Sequence, residues 1–168
     1  MAESEASSDQ GDGVARLRLD RAPGGRLTIA AIDALGTALD AALADDAVRA
    51  VVLCGSTQVF CTGLDVAEVA AQGSAPARRA GALCNAIEQA DKPVVAALEG
   101  HATGAGLELA LAAHARVARR GARAGLPEIG RGLLPVAGAT QRLPRLLDAE
   151  AALDLLVSGR VADVAAPP

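Results

Sequence analysis

The stretch KPVVAALEGHATGAGLELALAA, residues 92–113, combines a strand signal, a turn signal and a helix signal. Pro93–Leu98 is a short apolar run closed by Gly100, which is typical of a strand buried in a parallel sheet. A glycine-rich turn follows, and helix-forming apolar residues begin at Gly106. A buried strand that leads through a turn into a helix is the repeating unit of α/β proteins.

The segments on the N-terminal side of this stretch repeat the same alternation. Val14–Leu19 alternates apolar and charged residues and predicts a strand with one exposed face. Thr28–Ala44 and Ala80–Ala90 carry apolar residues at helical spacing, and Val48–Cys54 predicts a strand buried on both faces. The repeated pattern predicts an α/β fold. The residues expected in its core include Val52, Cys54, Val94, Ala96 and Leu109.

Composition limits the domain organisation and the kinds of partner. The chain has 168 residues, of which 51% are hydrophobic and 21% charged, as expected for one globular domain. Residues 1–13 are rich in Ser, Glu, Asp and Gly and predict a disordered tail, so the domain is expected over residues 14–168. A net charge of −4 and a single aromatic residue, Phe60, argue against nucleic acid as a partner.

Targeting and cysteine signals are weak. Residues 1–13 lack the basic start and apolar core of a signal peptide, and no later segment forms a long uncharged apolar span. We therefore expect no membrane segment and a cytoplasmic location. Cys54, Cys61 and Cys84 form no CxxC pair and no metal-like cluster with the two histidines, so the sequence predicts neither a disulfide nor a metal site.

Two loops that follow predicted strands are the expected place for function, namely FCTGLD at 60–65 and GHATGAGLEL at 100–109. A glycine-rich turn that enters a helix leaves backbone N–H groups directed beyond the helix N-terminus. The second loop lacks the Gly-Lys-Ser/Thr ending of a phosphate-binding loop and a clean G-x-G-x-x-G. Two loops that each offer one N–H can stabilise a single developing oxyanion, as in reactions through enolates.

Three blocks of sequence occur in a fixed order along the chain. They are FCTGLD at 60–65, KPVVAALEG with AGLELA at 92–110, and LPEIGRGLLPVAGATQRL at 126–143. They resemble the F-C-A-G-x-D, K-P-V-I-A-A-V-x-G with G-G-G-x-E-L-A, and P-E-I-x-x-G-x-x-P-x-x-G-x-T-Q-R-L motifs of the crotonase (enoyl-CoA hydratase/isomerase) family. The resemblance extends from Val14 to Gly159 and implies the crotonase-like ββα spiral.

The resemblance implies a site for a coenzyme A thioester, bound as substrate with no separate cofactor. The backbone N–H groups of Leu64 and Ala105 match the oxyanion hole, although the family usually has Gly at the second position. The carbonyl of Thr62 matches a position that receives the adenine amino group of coenzyme A. The other substrate-binding positions implied are Gly63, Asp65 and Gly104. Asp65 is also expected to cap the helix that follows its loop.

Glu108 and Glu128 match the two catalytic glutamates of the hydratases, whereas isomerases of the family often keep only the counterpart of Glu128. Adding water to a 2-enoyl thioester requires a carboxylate to take a proton from water and a carboxylic acid to protonate the α-carbon. Two neighbouring buried carboxyls suit this chemistry, because burial and mutual repulsion raise their pKa values. The favoured function is therefore a lyase that adds or removes water across the 2,3-bond of an acyl thioester.

Other interpretations of these residues stay open. Taken alone, Glu108 can be a helix-dipole partner and Glu128 a helix-start residue. The family resemblance also permits a biosynthetic isomerase, lyase or decarboxylase that acts on an acyl group held by coenzyme A or a carrier protein. A non-catalytic interaction domain is the third hypothesis, but such a domain has no need for both glutamates and both loops.

The resemblance also raises an expectation about assembly. Crotonases normally continue into a C-terminal helical region that packs on neighbouring subunits and covers part of the acyl pocket, whereas this sequence ends at Pro168. Residues 149–157 predict a helix with an apolar face. We therefore expect a short family member that forms a homo-oligomer, a trimer or hexamer. Either another subunit completes the pocket, or the substrate has changed.

Overall fold

The computed structural model describes residues 8–9, 12–19 and 23–164. The helices in this part of the chain are α1 (Ile29–Ala44), α2 (Val66–Gln72), α3 (Ala75–Glu88), α4 (Ala105–Ala112), α5 (Ala139–Leu146) and α6 (Ala149–Ser158), together with the 3-10 helices η1 (Pro23–Gly25) and η2 (Pro127–Arg131). The strands are β1 (Ser8–Asp9), β2 (Val14–Arg18), β3 (Arg26–Leu27), β4 (Ala50–Cys54), β5 (Val59–Cys61), β6 (Gly63–Leu64), β7 (Val94–Leu98), β8 (His101–Thr103), β9 (Ala115–Ala118), β10 (Arg123–Gly125) and β11 (Val161–Asp163).

Three successive ββα repeats form the body of the fold. Their first strands, β4, β7 and β9, lie side by side with β2 in a parallel arrangement, in a sheet of order β1-β2-β4-β7-β9. Their second strands, β5, β8 and β10, form a second sheet of order β11-β10-β8-β5. Each repeat adds one strand to each sheet before the chain enters a helix, and this arrangement confirms the predicted α/β fold of stacked ββα turns.

Glycines at the corners allow the repeats to stack backbone against backbone. A Cβ at Gly100, just after β7, would lie 2.2 Å from the carbonyl carbon of Gln58 in the preceding repeat. A Cβ at Gly106, in the first turn of α4, would lie 2.3 Å from the carbonyl oxygen of Cys61 at the end of β5. No side chain fits at either position, so only glycine permits these contacts.

The core lies between the sheets and the helices that follow them. Three of the five predicted core residues are fully buried, namely Val94, Ala96 and Leu109. Val52 and Cys54 are only half-buried, so the prediction that β4 is buried on both faces is wrong. Successive side chains of a strand point to opposite faces, and in β4 it is Val51 and Leu53 that point into the core.

The structure describes only part of the predicted N-terminal tail. Of the tail predicted over residues 1–13, positions 1–7, 10 and 11 lie outside the described residues. Its described part has some structure, since β1 pairs antiparallel with Val14 and Ala15 of β2.

Among the described residues, no helix combines the length and the hydropathy needed to cross a bilayer.

Gly106→Ala tests the close packing of α4 on β5. Because the new Cβ would overlap the Cys61 carbonyl, the helix or the strand has to move. We expect the free energy of unfolding, measured by urea denaturation, to fall by about 1–3 kcal/mol. The matched control is Gly36→Ala inside α1, where an added Cβ meets nothing within 4 Å. The control should raise the free energy of unfolding by up to about 1 kcal/mol, and equal effects of the two substitutions would contradict the packing described.

Candidate active site

The two glycine-rich loops lie against each other. Gly63 (φ 93°) and Gly104 (φ 54°) both have positive φ, which favours glycine at these turns. A Cβ at Gly63 would lie 3.1 Å from the carbonyl oxygen of Thr103 and 3.3 Å from the backbone nitrogen of Ala105. The Thr103 hydroxyl donates a hydrogen bond of 3.3 Å to the carbonyl of Thr62. The loop at 60–65 therefore packs directly on the turn that begins α4.

The N-terminus of α4 faces the first loop. The N–H of Glu108 donates to the carbonyl of Gly104 at 3.1 Å, and this is the first backbone hydrogen bond of the helix. The N–H groups of Ala105, Gly106 and Leu107 precede this bond and have no acceptor one turn back within the helix. The N–H of Ala105, predicted to donate to an oxyanion, therefore belongs to the free donor end of a helix.

A cavity of about 150 Å³ opens between these loops, η2 and the helices α2 and α3. Most of its lining is apolar, and the charged side chains on it are Glu108, Glu128 and Arg131. Seven of the eight site residues predicted from the sequence line this cavity: Thr62, Gly63, Leu64, Gly104, Ala105, Glu108 and Glu128. The fold thus brings together residues that are distant in sequence, since Thr62 and Glu128 are 66 positions apart.

Asp65 is the exception among the predicted site residues. Its Oδ1 accepts hydrogen bonds from the N–H groups of Ala67 (2.9 Å) and Glu68 (3.1 Å), so it caps α2 as expected. Its Oδ2 lies 3.4 Å from a guanidinium nitrogen of Arg26. The N–H of Glu68 in particular lowers the pKa of Asp65. Asp65 does not line the cavity, and its carboxylate already has partners in the protein.

Glu108 is buried in α4 with only 1% of its surface exposed. Its Oε1 accepts hydrogen bonds from the N–H groups of Ala137 (2.8 Å) and Ala139 (2.9 Å). Its Oε2 is buried and has no hydrogen-bond partner within the described part of the chain. Burial raises the pKa of Glu108, and nearby backbone N–H groups, first those of Ala139 and Ala137, oppose this effect together with the cation of Arg142. One oxygen is thus fixed by the backbone, while the described residues leave the other without a hydrogen bond.

Glu128 lies in η2, directly after Pro127. Its Oε2 is also buried and lacks a partner among the residues described. A Cβ at Gly104 would lie 3.2 Å from this oxygen, so the carboxyl group stands close to the N-terminus of α4. Burial raises the pKa of Glu128, and the nearby Glu108 raises it further, while the cation of Arg131 opposes both.

Several residues around the carboxyls carried no role in the sequence interpretation. Ala137 and Ala139 contribute only backbone N–H groups, which no sequence pattern marks. Arg131 and Arg142 belong to the quoted 126–143 block, but nothing in that block shows where their side chains lie. His114 has a structural contact, because its Nδ1 accepts a hydrogen bond of 2.9 Å from the N–H of Val94.

Comparison with known proteins places the chain in a family. A sequence model of the family described as enoyl-CoA hydratase/isomerase matches residues 9–166. The chain belongs to the enoyl-CoA hydratase/isomerase family. This membership confirms the resemblance found in the motifs.

Relatives and solved structures agree with the assignment. A peroxisomal bifunctional enzyme of Danio rerio is 47% identical over 147 residues, covering 88% of this chain and 20% of that protein. A probable enoyl-CoA hydratase of Bacillus subtilis (strain 168) is 37% identical over 151 residues, covering 87% of this chain and 58% of that protein. The crystal structure of an enoyl-CoA hydratase from Bacillus anthracis superposes with a TM-score of 0.85 at 32% identity, covering 90% of this chain and 61% of that one. The crotonase fold is therefore confirmed, and the chain spans about a fifth of the bifunctional enzyme that it matches.

Glu128→Gln should change the pH dependence of stability. The pKa of Glu128 is raised above its ordinary value of 4.5, so ionisation of this carboxyl destabilises the fold. That cost is absent below the ordinary pKa and complete above the raised one. Because glutamine cannot ionise, the free energy of unfolding of the variant relative to the natural protein should rise as the pH increases from about 4.5. Urea denaturation between pH 4 and pH 8 measures this difference.

Glu99→Gln serves as the matched control, because Glu99 is exposed and lies outside the cavity. It removes one negative charge without touching the site. If the difference for Glu128→Gln stays flat with pH, or falls, then burial does not destabilise the ionised Glu128.

Proposed function

We propose that this chain is a lyase of the enoyl-CoA hydratase type, which adds or removes water across the 2,3-bond of an acyl thioester. The observation that carries the proposal is the pair of oxygens Glu108 Oε2 and Glu128 Oε2. Both are buried beside the same cavity, and neither has a partner among the described residues. Buried carboxyl oxygens without partners are costly, and they are found where a ligand or a reacting group completes the site.

The proposed reaction uses both carboxyls to transfer protons. One ionised carboxylate takes a proton from water, and the water oxygen forms a bond to C3 of the 2-enoyl thioester. The electron pair of the 2,3-bond moves toward the thioester carbonyl, so that an enolate forms. The other carboxyl, protonated beforehand, gives its proton to C2, and the carbonyl is restored. The closeness of the two carboxyls supports this division, because the charge of Glu108 raises the pKa of Glu128 and so opposes the ionisation of both groups at once.

The negative charge that develops on the thioester oxygen needs hydrogen-bond donors. We propose that the N–H groups of Leu64 and Ala105 bind this oxygen. Support comes from the contact between their loops and from the position of both residues on the cavity. Each such donor is typically worth about 3 kcal/mol in the transition state. Coenzyme A or an acyl carrier would hold the acyl group, and the chemistry needs no separate cofactor.

We propose that the protein is a homo-oligomer, a trimer or hexamer, whose contacts cover apolar side chains that are exposed on α6 and at the cavity. Leu153 and Val157 project from α6, and Val66 and Leu134 lie at the cavity, with Leu134 70% exposed. Exposed apolar groups beside a binding cavity are typical of a surface that a neighbour or a ligand covers. A cytoplasmic location stays a prediction, and the relatives include peroxisomal proteins.

Glu108→Gln and Glu128→Gln test the proposed chemistry. Each substitution removes one proton-transfer partner, so each should lower kcat for hydration of a short 2-enoyl-CoA by roughly 10²–10⁴-fold. Substrate binding should survive, because the amide keeps the size of the carboxyl. Since both residues act on one transition state, the double variant should lose less than the product of the single losses. The exposed substitution Glu99→Gln is the control and should leave kcat unchanged.

The same variants separate the competing functions. A mild effect of Glu108→Gln with a severe effect of Glu128→Gln would favour an isomerase with a single base. Small effects of both substitutions on hydration, isomerisation and decarboxylation of acyl thioesters would leave only a non-catalytic role, and the proposal would fail.

Gly63→Ala tests the oxyanion-binding turn, with Gly121→Ala as its matched control. Both glycines have a similar positive φ, 93° and 85°, so both substitutions strain the backbone. A Cβ at Gly63 would press on the Thr103 carbonyl and the Ala105 nitrogen, whereas a Cβ at Gly121 meets nothing within 4 Å. We expect both variants to lose stability, but only Gly63→Ala to lower kcat, by roughly 10²-fold, for every thioester substrate. Equal kcat values for the two variants would contradict the assignment of this turn.

A further inference from the structure

Arg142 is a buried cation that the proposed chemistry does not use. It lies in α5 with only 6% of its surface exposed. Its Nη2 donates to Asn85 Oδ1 at 3.0 Å and to Glu88 Oε2 at 2.7 Å, both in α3. Its Nη1 donates to the carbonyl of Ala137 at 2.7 Å. The guanidinium therefore ties α3 to the turn that precedes α5.

This turn is the one that binds Glu108. The carbonyl of Ala137 accepts from Arg142, and the N–H groups of Ala137 and Ala139 donate to Glu108 Oε1. Gly138, between the two alanines, has a φ of 110°, and a Cβ there would lie 2.1 Å from Arg142 Nη1. The turn is thus shaped around the guanidinium on one side and the carboxylate on the other.

We infer that Arg142 is a positioning residue for Glu108. By holding the Ala137 carbonyl, it fixes the two N–H donors that bind Oε1, and this leaves Oε2 directed to the cavity. Asn85 and Glu88 hold the guanidinium in turn, so the orientation of the carboxyl depends on contacts 57 and 54 residues apart in sequence. The inference rests on the proposed role of Glu108 in proton transfer.

Charge adds a second link between the two residues. The cation of Arg142 acts to lower the pKa of Glu108, against the effect of burial. Among the described residues, the other titratable groups linked to this pair are Glu128 in η2, Glu88 and Cys84 in α3, and Cys61 in β5, which acts on Cys84. Burial raises the pKa of both thiols to about 12, so they carry no charge at neutral pH. Removing the guanidinium should therefore raise the pKa of Glu108, because the acidic side chains of Glu128 and Glu88 remain without this cation.

A double-mutant cycle between Arg142→Gln and Glu108→Gln tests the inference. If Arg142 acts through Glu108, Arg142→Gln should lower kcat roughly 10-fold or more when Glu108 is present and less than about threefold in the Glu108→Gln background. A purely structural role would give the same fold loss in both backgrounds and would overturn the inference. Arg142→Lys keeps the positive charge and one donor group, so it should recover part of the lost kcat.

The control is Arg145→Gln on the same helix. Arg145 is exposed, and its Nη1 donates to the carbonyl of Gln141 at 2.7 Å, away from the cavity. It should leave kcat unchanged in both backgrounds. If Arg142→Gln does not fold, Glu88→Gln replaces it, because Glu88 is half-exposed and its change only loosens the guanidinium. We then expect a two- to fivefold loss of kcat with Glu108 present and none without it, and any other pattern overturns the inference.

A readout that does not depend on activity separates this inference from the proposed function. The pKa of the Glu108 carboxyl, followed by carbon NMR of the side chain, should rise in Arg142→Gln and stay close to the natural value in Arg142→Lys and Arg145→Gln. An unchanged pKa in Arg142→Gln overturns the inference whatever the kinetics. If Glu108→Gln itself retains full activity, the proposed function fails, while the NMR result still decides whether Arg142 controls this carboxyl.

Discussion

The close approach of the first turn of α4 to the loop after β5 is the constraint on which the site depends. The backbone of Gly106 touches the Cys61 carbonyl, and Gly63 touches the turn at Ala105. These contacts bring the donor end of a helix beside a second loop, and they place Glu108, one turn along α4, at the cavity. A side chain at Gly106 would push the two elements apart and weaken the contact that aligns them.

Burying two carboxyl groups beside one cavity opposes folding, and the structure compensates only in part. Glu108 Oε1 receives two backbone N–H groups, and Arg142 stabilises the turn that supplies them. Oε2 of Glu108 and Oε2 of Glu128 receive nothing from the described residues. Buried carboxyls with raised pKa values in a cavity are characteristic of functional sites, where substrate and water can supply the missing partners. Leaving these two oxygens without hydrogen bonds costs folding stability, and it leaves both carboxyls able to exchange protons with a ligand.

Much of the fold follows from local patterns in the sequence, whereas the site depends on contacts between distant segments. Apolar periodicity located β7 and α4, and the glycine-rich turns located both loops. The half-burial of Val52 and Cys54 was not predictable, because it depends on what covers the second face of β4. Glu128 could be chosen only through the family motif, since its closeness to Gly104 arises from the stacking of repeats. Backbone donors such as the N–H of Ala137 leave no mark in the sequence.

A crystal structure with an unreactive acyl-CoA analogue tests the central claim most directly. The thioester carbonyl oxygen should lie about 3 Å from the backbone nitrogens of Leu64 and Ala105. The carboxyl groups of Glu108 and Glu128 should face C2 and C3 of the acyl group. A carbonyl oxygen bound away from both nitrogens, or an acyl group out of reach of both carboxyls, would contradict the account.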